Sequence, residues 1–166
     1  MPALENLYRG LLVGLAAAAG LIFALTAALI PVNVVLRAGF SSAVFGLYDA
    51  IEFGLLAATF LAAPWVLARN AHVMVDIGLM ALTDGQRRLV GRFTNLLGAA
   101  LCAVFVYYSL SAALASAGRG SMIRTSFVIP EWWVLSVMPL SMGLMMIEFL
   151  LRFRRAVIAD RHRVGL

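Results

Sequence analysis

Residues 10–36 read GLLVGLAAAAGLIFALTAALIPVNVVL, a stretch of 27 positions without a single Asp, Glu, Lys or Arg. As an α-helix this stretch would be roughly 40 Å long, against roughly 30 Å for the hydrocarbon core of a bilayer. A secretory signal peptide has an apolar core of only about 7–15 residues, so the stretch is too long for a simple cleaved leader. It therefore predicts a first transmembrane helix over residues about 10–35.

The composition of the whole chain supports a membrane protein. Of the 166 residues, 63% are hydrophobic and 13% are charged, and the mean hydropathy is +0.97. Globular domains average about 45–50% apolar and about 25% charged residues, which excludes a water-soluble domain of this size. The single cysteine, Cys102, rules out an internal disulfide framework or a cysteine-based metal site.

Three further apolar stretches predict transmembrane helices over residues about 45–67, 93–117 and 132–151. The last one begins just after Pro130, which suits a first helical turn. Pro139 should kink it, as the only proline expected to interrupt a membrane centre. Backbone groups in lipid must be satisfied internally, so continuous apolar runs of this kind are expected to be helical. The predicted fold is an all-α integral membrane protein, with residues 1–166 forming a single membrane domain.

The segment between the second and third predicted spans carries too much charge to cross a bilayer. Residues about 69–84 combine charges with Val, Met, Ile and Leu, which predicts a short interfacial helix. With four crossings, ten of the 13 arginines lie on the side of the two termini and three on the other. The positive-inside rule therefore predicts that both termini, including the basic tail of residues 152–166, are cytoplasmic.

The net charge of +5 does not indicate nucleic-acid binding. A nucleic-acid surface needs basic residues clustered on one exposed face, whereas these arginines lie between or beyond long apolar runs. The bilayer is the predicted partner of the chain, and its basic tail is expected to rest on anionic headgroups. Nucleic acid is not predicted as a partner.

Charged residues within or beside the predicted spans are candidate functional residues, because intramembrane charge is costly. Asp49 and Glu52 are three positions apart and share one helix face near the outer end of the second span. They could form a proton or cation site, or a pair neutralised by Arg37 or by a partner subunit. Their shallow depth favours the second interpretation.

A second candidate cluster follows the second span, where Arg69, His72 and Asp76 could share one helical face. A histidine flanked by a carboxylate can shuttle protons or bind a ligand. We favour a structural anchor for the interfacial segment, because the other histidine, His162, lies in the tail and no bis-histidine haem could form within the bilayer. No metal-ligand spacing and no enzyme motif occurs, so no cofactor, metal or catalytic residue is predicted, and the chain is not expected to be an enzyme.

Two patterns concern packing. Glu148 and Arg152 are four positions apart, in the preferred order for a helical ion pair. Small residues also recur every four positions in the first two spans, which allows close helix approach. These stripes are Ala16–Gly20–Ala24–Ala28 and Ala50–Gly54–Ala58–Ala62.

Several short motifs occur in a characteristic order over roughly residues 30–150. They are Asn33-Val-Val-Leu-Arg37-Ala-Gly-Phe40, Asp49-Ala-Ile-Glu52, Trp65, Ala68-Arg69-Asn-Ala-His72-Val-Met-Val-Asp76, Gly118–Arg124, Ile129-Pro130-Glu131-Trp132 and Pro139. This order resembles the small membrane subunit of tripartite ATP-independent periplasmic (TRAP) transporters, also called the small permease or Q component. One departure is Ala38, where the family commonly has an aromatic residue.

The resemblance implies a multi-pass accessory subunit of the bacterial inner membrane. In that family a periplasmic solute-binding protein delivers a solute, usually an organic acid, to the membrane pair, and the large membrane subunit holds the solute and sodium sites. The small subunit would brace the large permease and help dock the binding protein for ion-gradient-driven uptake. By the same resemblance, folding, subunit contact and membrane anchoring are the roles implied for Arg37, Asp49, Glu52, Arg69, His72 and Asp76.

Two other interpretations stay open at this point. The chain could be a free-standing small proton-coupled transporter that uses Asp49 and Glu52. It could also be a membrane-bound redox or transfer enzyme around His72, although the necessary partner residues are missing. The shortage of deep polar groups favours the accessory subunit, because a chain with few such groups is poorly equipped to strip water from a carboxylate solute.

Overall fold

A computed structural model describes residues 2–40, 46–69 and 83–164. It consists of four helices and one small antiparallel hairpin: α1 (Pro2–Phe40), α2 (Leu47–Ala68), α3 (Asp84–Arg119), β1 (Met122–Arg124), β2 (Val128–Pro130) and α4 (Glu131–Val164). Each helix contains a segment long and apolar enough to cross a membrane, namely Glu5–Gly39, Leu47–Ala68, Leu89–Arg119 and Glu131–Arg155. The prediction of a helical chain with four such helices is confirmed.

The helices extend beyond the predicted spans. α1, α3 and α4 continue past their uncharged stretches into charged sequence, because helical hydrogen bonding does not end where the hydrophobicity ends. The predicted tail from residue 152 thus begins as a continuation of α4. Pro31 and Pro64 also lie inside helices, each toward the C-terminal part of its helix. Most of the predicted interfacial helix, residues 70–82, lies outside the described residues.

The ends of α3 are set by local sequence. At its start, the backbone N–H of Thr83 donates to the side-chain oxygen of Gln86 at 3.1 Å, as in a capping box. At its end, Gly120 adopts a left-handed conformation with φ of 63°. The Gly120 N–H then bonds the Ala117 carbonyl and the Ser121 N–H bonds the Ser116 carbonyl, which is a Schellman motif. This turn leads directly into β1.

The helices pack in the order α1, α2, α4, α3. α2 and α4 both begin at the end that carries the hairpin and finish at the opposite end, whereas α1 and α3 run the other way. We call these two ends the hairpin end and the arginine end, the latter after Arg69, Arg152 and Arg155. The short strands pair Ile123 with Ile129, and β2 leads straight into α4. This hairpin was not predicted from the sequence.

Small or polar residues at heptad-like spacing form the packing seams. The buried residues of α1 are Leu12, Ala19, Thr26 and Asn33, each seven positions after the last, and those of α3 are Ala99, Cys102, Ala113 and Ser116. Such seams bring helices close together, as in left-handed bundles. In α2, Ala58 of the predicted stripe is buried and Gly54 faces Ile22 of α1, whereas Ala50 is exposed. In α1, Gly20, Ala24 and Ala28 of the predicted stripe are exposed in the chain by itself, so this stripe does not form the α1 seam described here.

Gly98 lies at a close contact between α3 and α4. A Cβ atom at Gly98 would lie 2.8 Å from the ring of Phe149, which is inside van der Waals contact. The absence of a side chain therefore lets the Phe149 ring lie against the backbone of α3. Gly91, on the same helix, has open space around an added Cβ.

We expect Gly98→Leu to separate α3 from α4 and Gly91→Leu to leave them packed. Overpacking of this kind costs about 1–3 kcal/mol, whereas both substitutions improve helix propensity to the same extent. Thermal unfolding of the two variants in the same detergent measures the difference. Equal melting temperatures for the two variants would show that the α3–α4 contact does not depend on Gly98.

Candidate functional site

The six residues singled out from the sequence do not form one site. Asp49 and Glu52 lie in the first turns of α2 at the hairpin end, and Arg37 lies at the end of α1. Arg69 lies at the opposite end, where its guanidinium is stacked 5.1 Å from the centre of the Trp65 ring. His72 and Asp76 fall outside the described residues.

Asp49 ties α2 to the hairpin. Its carboxylate accepts a hydrogen bond from the backbone N–H of Ser126 at 2.7 Å. Beside it the ring of Phe127 lies so close to Gly46 that a Cβ there would be 2.5 Å from the ring, and Gly46 is also left-handed with φ of 74°. Both observations require glycine at this position. The partner of Asp49 is thus a backbone amide of the hairpin, and no salt bridge joins it to Arg37.

Glu131 ties α4 to the end of α3. Its carboxylate accepts a hydrogen bond from the Ser116 hydroxyl at 2.7 Å, and Ser116 is fully buried. Its backbone N–H donates to the Ser121 carbonyl at 3.0 Å. A carboxylate in the first turn also interacts favourably with the positive end of the helix dipole. The hairpin end is therefore held by hydrogen bonds from both helices that flank the hairpin.

A proline and a serine join α2 to α4 between the two ends. Pro64 has no N–H, so the carbonyl of Phe60, four residues earlier, has no donor within its own helix. The Ser141 hydroxyl of α4 donates to this carbonyl at 2.6 Å. Pro64 and Ser141 are both fully buried, so water does not replace this contact. In lipid an unsatisfied carbonyl would cost more than in water, which makes Ser141 a cross-helix substitute for the missing N–H.

At the arginine end, ion pairs and hydrogen bonds to backbone carbonyls hold the helices together. Arg152 pairs with Glu148 at 3.1 Å, as predicted, and also donates to the Leu67 carbonyl at the end of α2. Glu148 is only 5% exposed, so this ion pair within α4 is largely buried, and the contact of Arg152 with Leu67 is the one that joins α4 to α2. α1 is attached to α4 here as well. The Tyr8 hydroxyl donates to the Leu144 carbonyl at 2.9 Å, and Glu5 pairs with Arg155.

The buried polar side chains of the described chain all have partners inside the protein. They are Thr26, Asn33, Ser116, Ser141 and Glu148. Residues 2–40, 46–69 and 83–164 contain no group of three or more His, Cys, Asp or Glu placed to hold a metal ion. Chemically, this arrangement holds helices together. Each of these five buried side chains has a partner inside the protein.

Sequence reasoning missed several of these residues. Ser126 and Phe127 lie in the loop of the hairpin. Its two strands have only three residues each, which is too short for a sequence pattern to predict them. Ser141 could have been found by asking which donor serves the carbonyl that Pro64 leaves without one. The pairing of Arg152 with Glu148 was found, but its second contact with α2 depends on tertiary packing.

A comparison with family models identifies the chain. The model for the DctQ component of tripartite ATP-independent periplasmic transporters matches residues 26–159. The chain belongs to this family. It is a TRAP transporter small membrane subunit, and this family is a family of transporter components. No curated protein matches the chain significantly.

The match places most of the internal contacts of this TRAP small subunit within the family region. The Asp49–Ser126, Ser116–Glu131, Phe60–Ser141 and Glu148–Arg152 contacts all lie within residues 26–159. Glu5, Tyr8 and Arg9 precede it, so the attachment of α1 to α4 at the arginine end involves residues outside the matched range.

We expect Ser141→Ala to destabilise the TRAP small subunit by about 1 kcal/mol, because the Phe60 carbonyl would lose its donor. In a Pro64→Ala background the same substitution should cost much less, since an alanine at position 64 restores the N–H within α2. A double-mutant cycle on detergent-purified protein, followed by thermal unfolding, measures this coupling.

Ser136→Ala is the matched control for this cycle. The Ser136 hydroxyl bonds the Trp133 carbonyl of its own helix, so its removal should change stability little. If Ser141→Ala lowers the stability equally in the native and the Pro64→Ala backgrounds, the Ser141 hydroxyl does not substitute for the N–H that Pro64 lacks.

Proposed function

We propose that this TRAP small subunit braces the large membrane subunit and, with its hairpin end, helps to dock the periplasmic solute-binding protein. In this role it supports the ion-gradient-driven uptake of an organic acid without binding the solute itself. The observation that carries the proposal is the use of its buried polar groups. Each of the five serves an internal contact, whereas a solute or ion path needs polar groups that remain available in the membrane.

The surface of the chain supports the bracing role. Many large apolar side chains of all four helices are exposed in the chain by itself, for example Leu7, Val35, Phe93 and Tyr108, each more than 60% exposed. α1, α2 and α4 contact one another and α3 packs on α4, and these exposed outer faces are available to lipid or to a second membrane protein. Membership of a tripartite transporter family makes a larger membrane protein the natural occupant of part of this surface.

The hairpin end supports the docking role. It exposes Met122, Val128 and Tyr48, with exposed fractions of 51%, 68% and 58%. The Asp49–Ser126 bond and the packing of Phe127 on Gly46 hold the hairpin against α2. A rigid, partly apolar projection of this kind is suited to contact with another protein. The arginine distribution favours a periplasmic location for it, on the side reached by a binding protein.

In the competing proposal, a free-standing proton-coupled transporter, Asp49 and Glu52 would carry the coupled protons. We expect a protein with Asp49→Asn and Glu52→Gln to support normal uptake when it is reconstituted with the large subunit and the binding protein. The side-chain oxygen of the asparagine introduced at position 49 can still accept the Ser126 N–H, although this side chain carries no titratable proton. Uptake of radiolabelled solute into proteoliposomes is the measurement.

Asp49→Ala in the presence of native Glu52 is the informative comparison. It removes the acceptor for Ser126, so we expect weaker coupling to the binding protein together with an unchanged ability to co-purify with the large subunit. Loss of uptake in the variant with both amide substitutions, with assembly intact, would instead favour proton coupling through these carboxylates.

Orientation provides an independent check. We expect a reporter that is active only in the periplasm to be silent when fused after Leu166 and active when inserted at Thr125, in the loop of the hairpin. This follows from ten arginines on the side of the termini and three on the other. A periplasmic signal from the C-terminal fusion would place the hairpin in the cytoplasm and remove the docking role.

A further inference from the structure

A cavity at the arginine end lies between α1, α2 and α4. It has a volume of about 370 Å³, within the usual range for ligand pockets of about 300–1,000 Å³. Three arginines, Arg9, Arg69 and Arg155, contribute to its walls. Three arginines around one opening would repel each other unless anions compensate them, so the charges in this cavity need to be counted.

Among the described residues, the cavity retains positive charge after its internal ion pairs are considered. Arg155 is paired with Glu5, and the lining residue Glu148 is paired with Arg152. Within residues 2–40, 46–69 and 83–164, neither Arg9 nor Arg69 forms a salt bridge. The two remaining guanidinium groups suit a phosphate, which guanidinium binds through parallel hydrogen bonds.

An apolar groove continues from this cavity along α1 and α2. It has a volume of about 330 Å³, and its walls include Ala16, Ala19, Gly20, Phe23 and Ala62. Three of its other lining residues, Val13, Trp65 and Arg69, also line the cavity, so the two spaces adjoin. The stacking of Arg69 on Trp65 places the guanidinium at this junction.

The geometry points to a binding site for one anionic phospholipid. Its phosphate would lie between Arg9 and Arg69, and one acyl chain would lie in the groove between α1 and α2. A basic pocket between transmembrane helices that opens into an apolar groove has the charge and polarity of such a lipid. A soluble anion would use the cavity but not the groove. The site would also explain why the small residues Ala16 and Gly20 of α1 are not packed against α2.

The test is the binding of phosphatidylglycerol and of phosphatidylcholine with identical acyl chains to the full chain in detergent, counted by native mass spectrometry. We expect one phosphatidylglycerol to be retained in preference to phosphatidylcholine. Arg9→Gln with Arg69→Gln should weaken this binding about 30-fold, from about 1 kcal/mol for each arginine near an anionic lipid. Arg119→Gln with Arg124→Gln removes the same charge near the hairpin and should leave it unchanged.

A second pair of variants tests the groove without changing charge. Gly20→Leu places a side chain in the groove, whereas Gly14→Leu places one on the same helix outside it, and neither glycine has an atom within 4 Å of an added Cβ. We expect Gly20→Leu alone to lower lipid retention. The proposal would be overturned if phosphatidylglycerol and phosphatidylcholine bound equally. It would also be overturned if the two arginine double variants, or the two glycine variants, retained phosphatidylglycerol equally. Displacement of the lipid by the large subunit on assembly would also overturn it, as the cavity would then be a protein interface.

Discussion

The structure depends on one constraint, which is that a backbone carbonyl inside a membrane, away from water, must receive a hydrogen bond from somewhere within the protein. Pro64 creates such a carbonyl at Phe60, and Ser141 satisfies it from a different helix. Because the contact is fully buried, it fixes both the distance and the rotation between α2 and α4. These two central helices then provide the surfaces on which α1 and α3 pack.

The same principle recurs at both ends of the bundle. At the hairpin end, Asp49 and Glu131 accept hydrogen bonds from the hairpin and from α3. At the arginine end, Arg152 and Tyr8 donate to carbonyls of neighbouring helices. Polar groups in this TRAP small subunit therefore act mainly as attachments between helices. A protein built in this way is suited to the bracing role proposed for it.

Much of the fold could be predicted from the sequence, because long uncharged stretches such as residues 10–36 have few alternatives to a transmembrane helix. The Glu148–Arg152 pair was also predictable, since its spacing is local. Contacts between distant segments were not, because no local pattern relates Ser126 to Asp49 or Ser141 to Phe60. The seam by which α1 packs within this chain was not predicted either. Alanine and glycine are so frequent in this helix that small residues at four-residue spacing stand out in its sequence. The residues that are buried instead recur every seven positions, at Leu12, Ala19, Thr26 and Asn33.

The most direct measurement is solute uptake into sealed liposomes that contain either this chain alone or the chain with its large membrane subunit, in each case with the solute-binding protein outside and a sodium gradient applied. If its polar groups serve only to hold helices together, the chain alone gives no accumulation of an organic anion, and the two membrane subunits together give robust uptake. Accumulation by the chain alone would contradict the account.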